Sequence, residues 1–113
     1  MLTLDALRAY GANVDEGLGR CMNNEAFYLR MVQMVLQDEG YSLLENALKA
    51  GDLKAGFEAA HRIKGAVANL ALTPILTPIS ELTELLRHET PGDYDSLFQA
   101  AIRKKEELDE LAK

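Results

Sequence analysis

The chain has 113 residues, of which 48% are hydrophobic and 27% charged, a composition typical of one globular domain. Its formal net charge of −6 at pH 7 argues against nonspecific nucleic-acid binding, which depends on clustered Lys and Arg side chains. No apolar run approaches the roughly 18 residues of a membrane-spanning helix, and the first residues do not resemble a signal peptide. We therefore expect one domain over residues 1–113, a cytoplasmic location, and no association with membranes or nucleic acid.

The amino-terminal residues predict two short helices. Thr3 can cap a helix that runs to about Tyr10 and that Gly11 ends, and a second short helical turn begins near Asp15. The single cysteine, Cys21, cannot form an intramolecular disulfide or a cysteine-based zinc cluster, so we expect it to be buried.

The spacing of apolar residues predicts five longer helices, near residues 24–37, 41–50, 52–72, 78–88 and 94–112. We expect Thr73-Pro74 and Thr77-Pro78 to interrupt the chain after Leu72, with Pro78 in the first turn of the next helix. Short connections favour antiparallel neighbours, so 41–50 pairs with 52–72 and the last two helices pair with each other. The predicted fold is an all-α antiparallel four-helix bundle with additional short N-terminal helices. Four residues are interpreted as core filling: Met22, Met31, Met34 and Phe57.

The helix predicted over residues 52–72 carries a histidine beside its apolar stripe. Because residues three or four apart share a helix face, His61, Lys64 and Gly65 lie side by side, with Ala68 one turn further. Glycine in mid-helix costs about 1 kcal/mol relative to alanine, which indicates that another backbone or protein surface comes close there. A neutral imidazole is a nucleophile, and Lys64 would stabilise an anionic group on it, such as a phosphoryl group with about −1.5 to −2 charges.

These residues belong to a longer segment that resembles a known family. The core His-x-x-Lys-Gly of histidine-containing phosphotransfer (HPt) domains is similar to His61-Arg62-Ile63-Lys64-Gly65-Ala66-Val67-Ala68-Asn69-Leu70. The runs Gly11–Cys21 and Phe27–Val32 also resemble amino-terminal helices of that family. Two positions depart from its pattern: Ala66 replaces a common small polar residue, and Ala71 replaces a common glycine.

The resemblance implies a carrier in a multistep phosphorelay. His61 would take a phosphoryl group on Nε2 from an aspartate of one receiver domain and pass it to another receiver domain. Lys64 and Gly65 would support this site, Ala68 would admit the partner's loop, and Asn69 matches a commonly polar position. The implied partners are receiver domains of response regulators and of hybrid histidine kinases. We expect a monomer. We also expect no cofactor and no kinase activity, because the chain has no phosphate-binding loop and the nucleotide and any Mg²⁺ belong to its partners.

Two other functions compete with this interpretation. Glu58-Ala59-Ala60-His61 has the Glu-x-x-His spacing of carboxylate-bridged di-metal bundles, but those sites need a second such pair. Glu84 and His88 have the wrong spacing, and Glu58 is expected to point toward solvent, so we expect no metal. His88 is interpreted as an exposed helix end without chemistry. The second alternative is a helical adaptor that docks on receiver domains without being phosphorylated.

Overall fold

The computed structural model describes residues 1–113 and contains seven helices and no strand. The helices are α1 (Leu4–Tyr10), α2 (Val14–Arg20), α3 (Glu25–Leu36), α4 (Gly40–Ala50), α5 (Leu53–Asn69), α6 (Thr73–Arg87) and α7 (Tyr94–Leu111). Helix α5 packs along α4 and α6, and α6 packs along α7. The predicted all-α fold, with a four-helix bundle and short N-terminal helices, is confirmed, as are the two predicted hairpins. None of the seven helices combines the length and the apolar character that crossing a membrane requires.

Local capping sets most helix starts. Side-chain oxygens of Thr3, Asn24, Asp52 and Asp93 each accept a hydrogen bond, 3.0–3.1 Å long, from the backbone N–H three residues later. These bonds satisfy amide groups that have no partner within the helix. Gly11 ends α1 with a φ of 111°, a conformation that favours glycine. The predicted starts of α1, α3, α5 and α7 therefore agree with the structure to within about one residue.

The predicted interruption between residues 72 and 78 is wrong. Helix α6 begins at Thr73, so Pro74 lies in its first turn and Pro78 lies inside the helix. Pro74 is tolerated because first-turn amides have no partner within the helix. Pro78 cannot donate to the carbonyl one turn earlier, but Ile75 and Ile79 on the same helix are fully buried. Packing of this apolar face keeps α6 continuous through the second proline.

The end of α5 was predicted three residues too late. The helix ends at Asn69, and Ala71 has a φ of 56°, in the left-handed region. Helices commonly end on such a residue, and glycine adopts it without strain. This conformation gives a physical reason why glycine suits the position that Ala71 occupies.

One hydrophobic core extends through all seven helices. Cys21 is buried in it as predicted, and the hydroxyl of Tyr28, also buried, donates to the Leu70 carbonyl at 2.9 Å. Two of the methionines predicted to fill the core do not. Met22 is 83% exposed in the turn after α2, and Met34 is 58% exposed because it lies opposite the buried face of α3. The exposure of both side chains corrects the prediction.

Candidate functional site

Helix α5 presents His61 to solvent. The helix buries its apolar stripe against the bundle, and His61 lies beside that stripe, as predicted. Because α4 and α6 flank α5, the imidazole projects outward from the central helix of three. No hydrogen bond is made to His61 within the chain, so both ring nitrogens are free of protein partners.

Phe57 supports the imidazole from one turn earlier. The two rings are stacked, with centroids 5.5 Å apart and an interplanar angle of 21°. Phe57 is half-buried and also packs against the core, so its ring contacts both the core and His61. The sequence analysis assigned Phe57 to the core only, although its spacing of four residues from His61 is that of side chains that meet on a helix.

A group of charged side chains lies between α5 and α6. The Lys64 ammonium is 3.8 Å from the Glu84 carboxylate, and Arg87 Nε lies 3.3 Å from the same oxygen. The Arg87 guanidinium also lies 4.8 Å from the centre of the Phe57 ring. The cation predicted to stand beside His61 therefore lies one helical turn away, with a carboxylate as its partner.

A second ion-pair group joins α5 to the start of α4. Arg62 donates to Asp38 at 2.9 Å and to Glu39 at 3.2 Å. The hydrogen bond that Arg62 donates to Asp38, followed by the Asp38 charge and by Glu39, raises the pKa of the Arg62 guanidinium. Asp38 also accepts from the Gly40 amide at 2.8 Å, which orders the turn before α4. The helix that carries His61 is thus tied to both neighbours by charged side chains.

Gly65 leaves an open surface next to His61. A Cβ atom built on Gly65 would have no heavy atom within 4 Å, so no close contact within this chain requires glycine there. Ala68, further along this face, is half-buried and also small. The predicted flat surface beside the imidazole stays a prediction, and the free-energy cost of glycine at position 65 is not offset by packing within the fold.

Asn69 is the predicted site residue that lies furthest from His61. It is the exposed last residue of α5, two turns along and about 12 Å away at 1.5 Å per residue. Its side chain makes no hydrogen bond. Lys64 and Gly65 therefore lie one turn from His61, whereas Ala68 and Asn69 both lie about two turns along the same helix.

The Glu and His residues of the alternative metal site do not come together as one group of three or more ligands. Glu58 is exposed, as predicted, and has no ion-pair partner. No group of three or more His, Cys, Asp or Glu side chains is arranged to hold a metal ion. His88, the exposed cap at the end of α6, has Nε2 3.7 Å from Glu84, and the pair is ionic only when the imidazole is protonated.

The helical bundle displays a histidine without a hydrogen-bond partner, and a lysine and a glycine lie one turn from it on the same helix. A family model described as Hpt domain matches residues 30–113, and the chain belongs to this family. Hpt domains transfer phosphoryl groups through histidine in two-component phosphorelays. The match includes His61 but begins within α3, so the resemblance noted over Gly11–Cys21 lies outside it. Comparisons with curated proteins and with solved structures gave no match.

Proposed function

We propose that His61 is the phosphorylated residue of this Hpt domain and that the chain carries a phosphoryl group between two receiver domains. The observation that carries this proposal is the exposed, unbonded imidazole of His61, placed on α5 within the segment that the family model matches. His88 is the only other histidine, and it caps a helix beside Glu84.

The transfer is a displacement at phosphorus. The Nε2 lone pair of His61 attacks the phosphorus of a receiver's aspartyl phosphate, and a P–N bond forms. The P–O bond to the aspartate breaks, and its electron pair remains on the released carboxylate. Transfer onward to the second receiver reverses these bond changes at its aspartate. The P–N intermediate stores the group without nucleotide, so ATP and Mg²⁺ are left to the partners and this chain has no kinase activity.

The side chains around His61 have separate roles in this proposal. Lys64 offsets the charge of the bound phosphoryl group. Gly65 and Ala68 leave room for the receiver's active-site loop, and Phe57 holds the imidazole by stacking. Asn69 contacts the partner at the end of the docking surface, because it lies too far along α5 to reach the phosphoryl group.

The remaining features of the proposal concern the whole chain. Residues 1–113 form one Hpt domain, because a single core includes residues of all seven helices. It acts as a cytoplasmic monomer, and its partners are the receiver domains of response regulators and of hybrid histidine kinases. Nucleic acid is not a partner, since most basic side chains are already paired with carboxylates on this acidic chain.

The test is transfer from a panel of phosphorylated receiver domains, followed by intact mass. The unmodified chain and His61→Gln are compared, with His88→Gln as the matched control. We expect an acid-labile phosphate adduct on the unmodified chain and on His88→Gln, and none on His61→Gln. Adduct formation on His61→Gln would contradict the assignment. Binding of receivers to the unmodified chain without any transfer would favour the adaptor.

A further inference from the structure

Glu84 is the meeting point of the charged side chains between α5 and α6. Its carboxylate lies 3.8 Å from Lys64, 3.3 Å from Arg87 and 3.7 Å from His88. The pair with Lys64 is the one ion pair that joins these two helices. Half of the Glu84 side chain is exposed, as against 33% for Lys64, so the group is in contact with solvent and able to rearrange.

The same carboxylate is linked to the imidazole by a second route. Arg87, which Glu84 holds at its Nε, lies over the ring of Phe57, and that ring stacks on His61. Two cations near the phosphate-accepting residue therefore have one shared counter-ion. Glu84 itself makes no contact with His61, so its contacts reach the imidazole only through these partners.

We propose that Glu84 is a positioning residue that holds Lys64 and Arg87 beside unphosphorylated His61 and releases them when the phosphoryl group arrives. This inference rests on the proposed function of His61. A phosphorylated side chain carries about −1.5 to −2 charges, whereas a carboxylate carries −1, so the phosphoryl group is the stronger partner for either cation. Glu84 competes with the phosphoryl group, which keeps the phosphorylated form from becoming too stable to pass its group on.

The experiment measures the equilibrium of phosphoryl transfer. The probe is the receiver domain that phosphorylates the unmodified chain most fully in the panel above, and the phosphorylated fraction of each protein is read by intact mass. Glu84→Gln keeps the shape and removes the charge. Since exposed ion pairs are weak, we expect the equilibrium to shift about two- to fivefold toward the phosphorylated Hpt domain. Thermal unfolding of each variant checks that the bundle is intact.

A chain in which both cations are replaced separates two effects of Glu84: holding the cations in place, and the direct effect of its negative charge on His61. In a Lys64→Met, Arg87→Met chain the shift caused by Glu84→Gln should disappear, because neither of the two cations that Glu84 holds beside His61 remains. Glu58→Gln is the matched control: it removes the same charge one turn from His61, at a carboxylate without a partner. Its effect should be equal in both backgrounds.

Three outcomes would overturn the inference. Glu84→Gln could leave the equilibrium unchanged, or it could cause the same shift in both backgrounds; either result removes Glu84 as a positioning residue while His61 remains the carrier. If the unmodified chain takes no phosphoryl group from any receiver, the proposed function fails, and this inference fails with it.

Discussion

His61 has one aromatic neighbour and a set of charged neighbours, and only part of this environment follows from the sequence. Lys64 and Gly65 could be placed beside His61 because one helix carries all three and helical spacing fixes their face. Glu84 could not be placed near this site from the sequence, because it belongs to α6 and its contact with Lys64 depends on how the two helices pack. The stacking of Phe57 has a readable signal in its spacing, but a phenylalanine at that spacing is as consistent with the core.

Gly65→Ala should separate stability from function. An alanine finds open space at this position and favours the helix, so the free energy of unfolding should rise by about 1 kcal/mol. A methyl group on a surface that a partner approaches closely should instead slow phosphoryl transfer, by about tenfold. Urea unfolding and the initial rate of transfer from a receiver measure the two effects.

Gly19→Ala is the matched control for this variant. Gly19 is also helical and exposed, with no atom within 4 Å of a built Cβ, and it lies outside the family match. It should stabilise the fold similarly and leave transfer unchanged. Equal transfer by the Gly65→Ala and unmodified chains would remove Gly65 from the docking surface.

The helices were predictable where local chemistry sets them. Capping side chains such as Asn24 and Asp93 mark helix starts by hydrogen bonds within four residues, and α3 and α7 agree closely with the prediction. Helix α6 was not predictable in this way, because its start depends on packing that outweighs the local effect of Pro78. Met34 was misplaced for a related reason: periodicity identifies an apolar helix, but only the tertiary fold decides which side is buried.

Pro78→Ala should stabilise α6. Alanine restores an amide that can donate to the carbonyl of Pro74 and removes a ring that crowds it. The free energy of unfolding should rise by about 1–2 kcal/mol. This is less than the roughly 3 kcal/mol by which alanine exceeds proline in helix propensity, because the loss of a proline also increases the entropy of the unfolded chain. Pro74→Ala is the control, since its first-turn amide has no helical acceptor. If urea unfolding gives Pro78→Ala no higher stability than Pro74→Ala, the strain assigned to the second proline is absent.

At the scale of the molecule, the bundle separates a largely aliphatic interior, which includes three buried tyrosines, from a charged exterior that carries the site. Burial, with a smaller contribution from Cys21, raises the pKa of Tyr28 to about 12, and burial also raises the pKa of Tyr10 and Tyr41. The folded protein keeps these protons at a pH where the unfolded chain, with an ordinary tyrosine pKa near 10, loses them. Because the folded state then binds more protons, stability falls as pH rises.

Alkaline pH should therefore unfold the bundle progressively. The stability that the raised pKa of Tyr28 contributes is lost between about pH 10 and about pH 12, and it amounts to roughly 2–3 kcal/mol. The free energy of unfolding in urea, measured at intervals over this range, tests the slope. Tyr28→Phe should lower stability at pH 7 by about 1 kcal/mol, because the bond to the Leu70 carbonyl is lost, and should have a shallower alkaline slope. Identical slopes for the two proteins would show that Tyr28 does not titrate with unfolding.

The identity of the phosphorylated atom tests the central claim most directly. The chain, labelled with ¹⁵N in its histidine rings, is phosphorylated by a receiver domain, and long-range proton–nitrogen NMR spectra are recorded before and after. With only two histidines, both rings can be assigned from His61→Gln and His88→Gln. We predict that the His61 signals alone change, in the pattern of a phosphoryl group on Nε2. A phosphoryl group on His88 or on a carboxylate, with the His61 ring unchanged, would contradict this account.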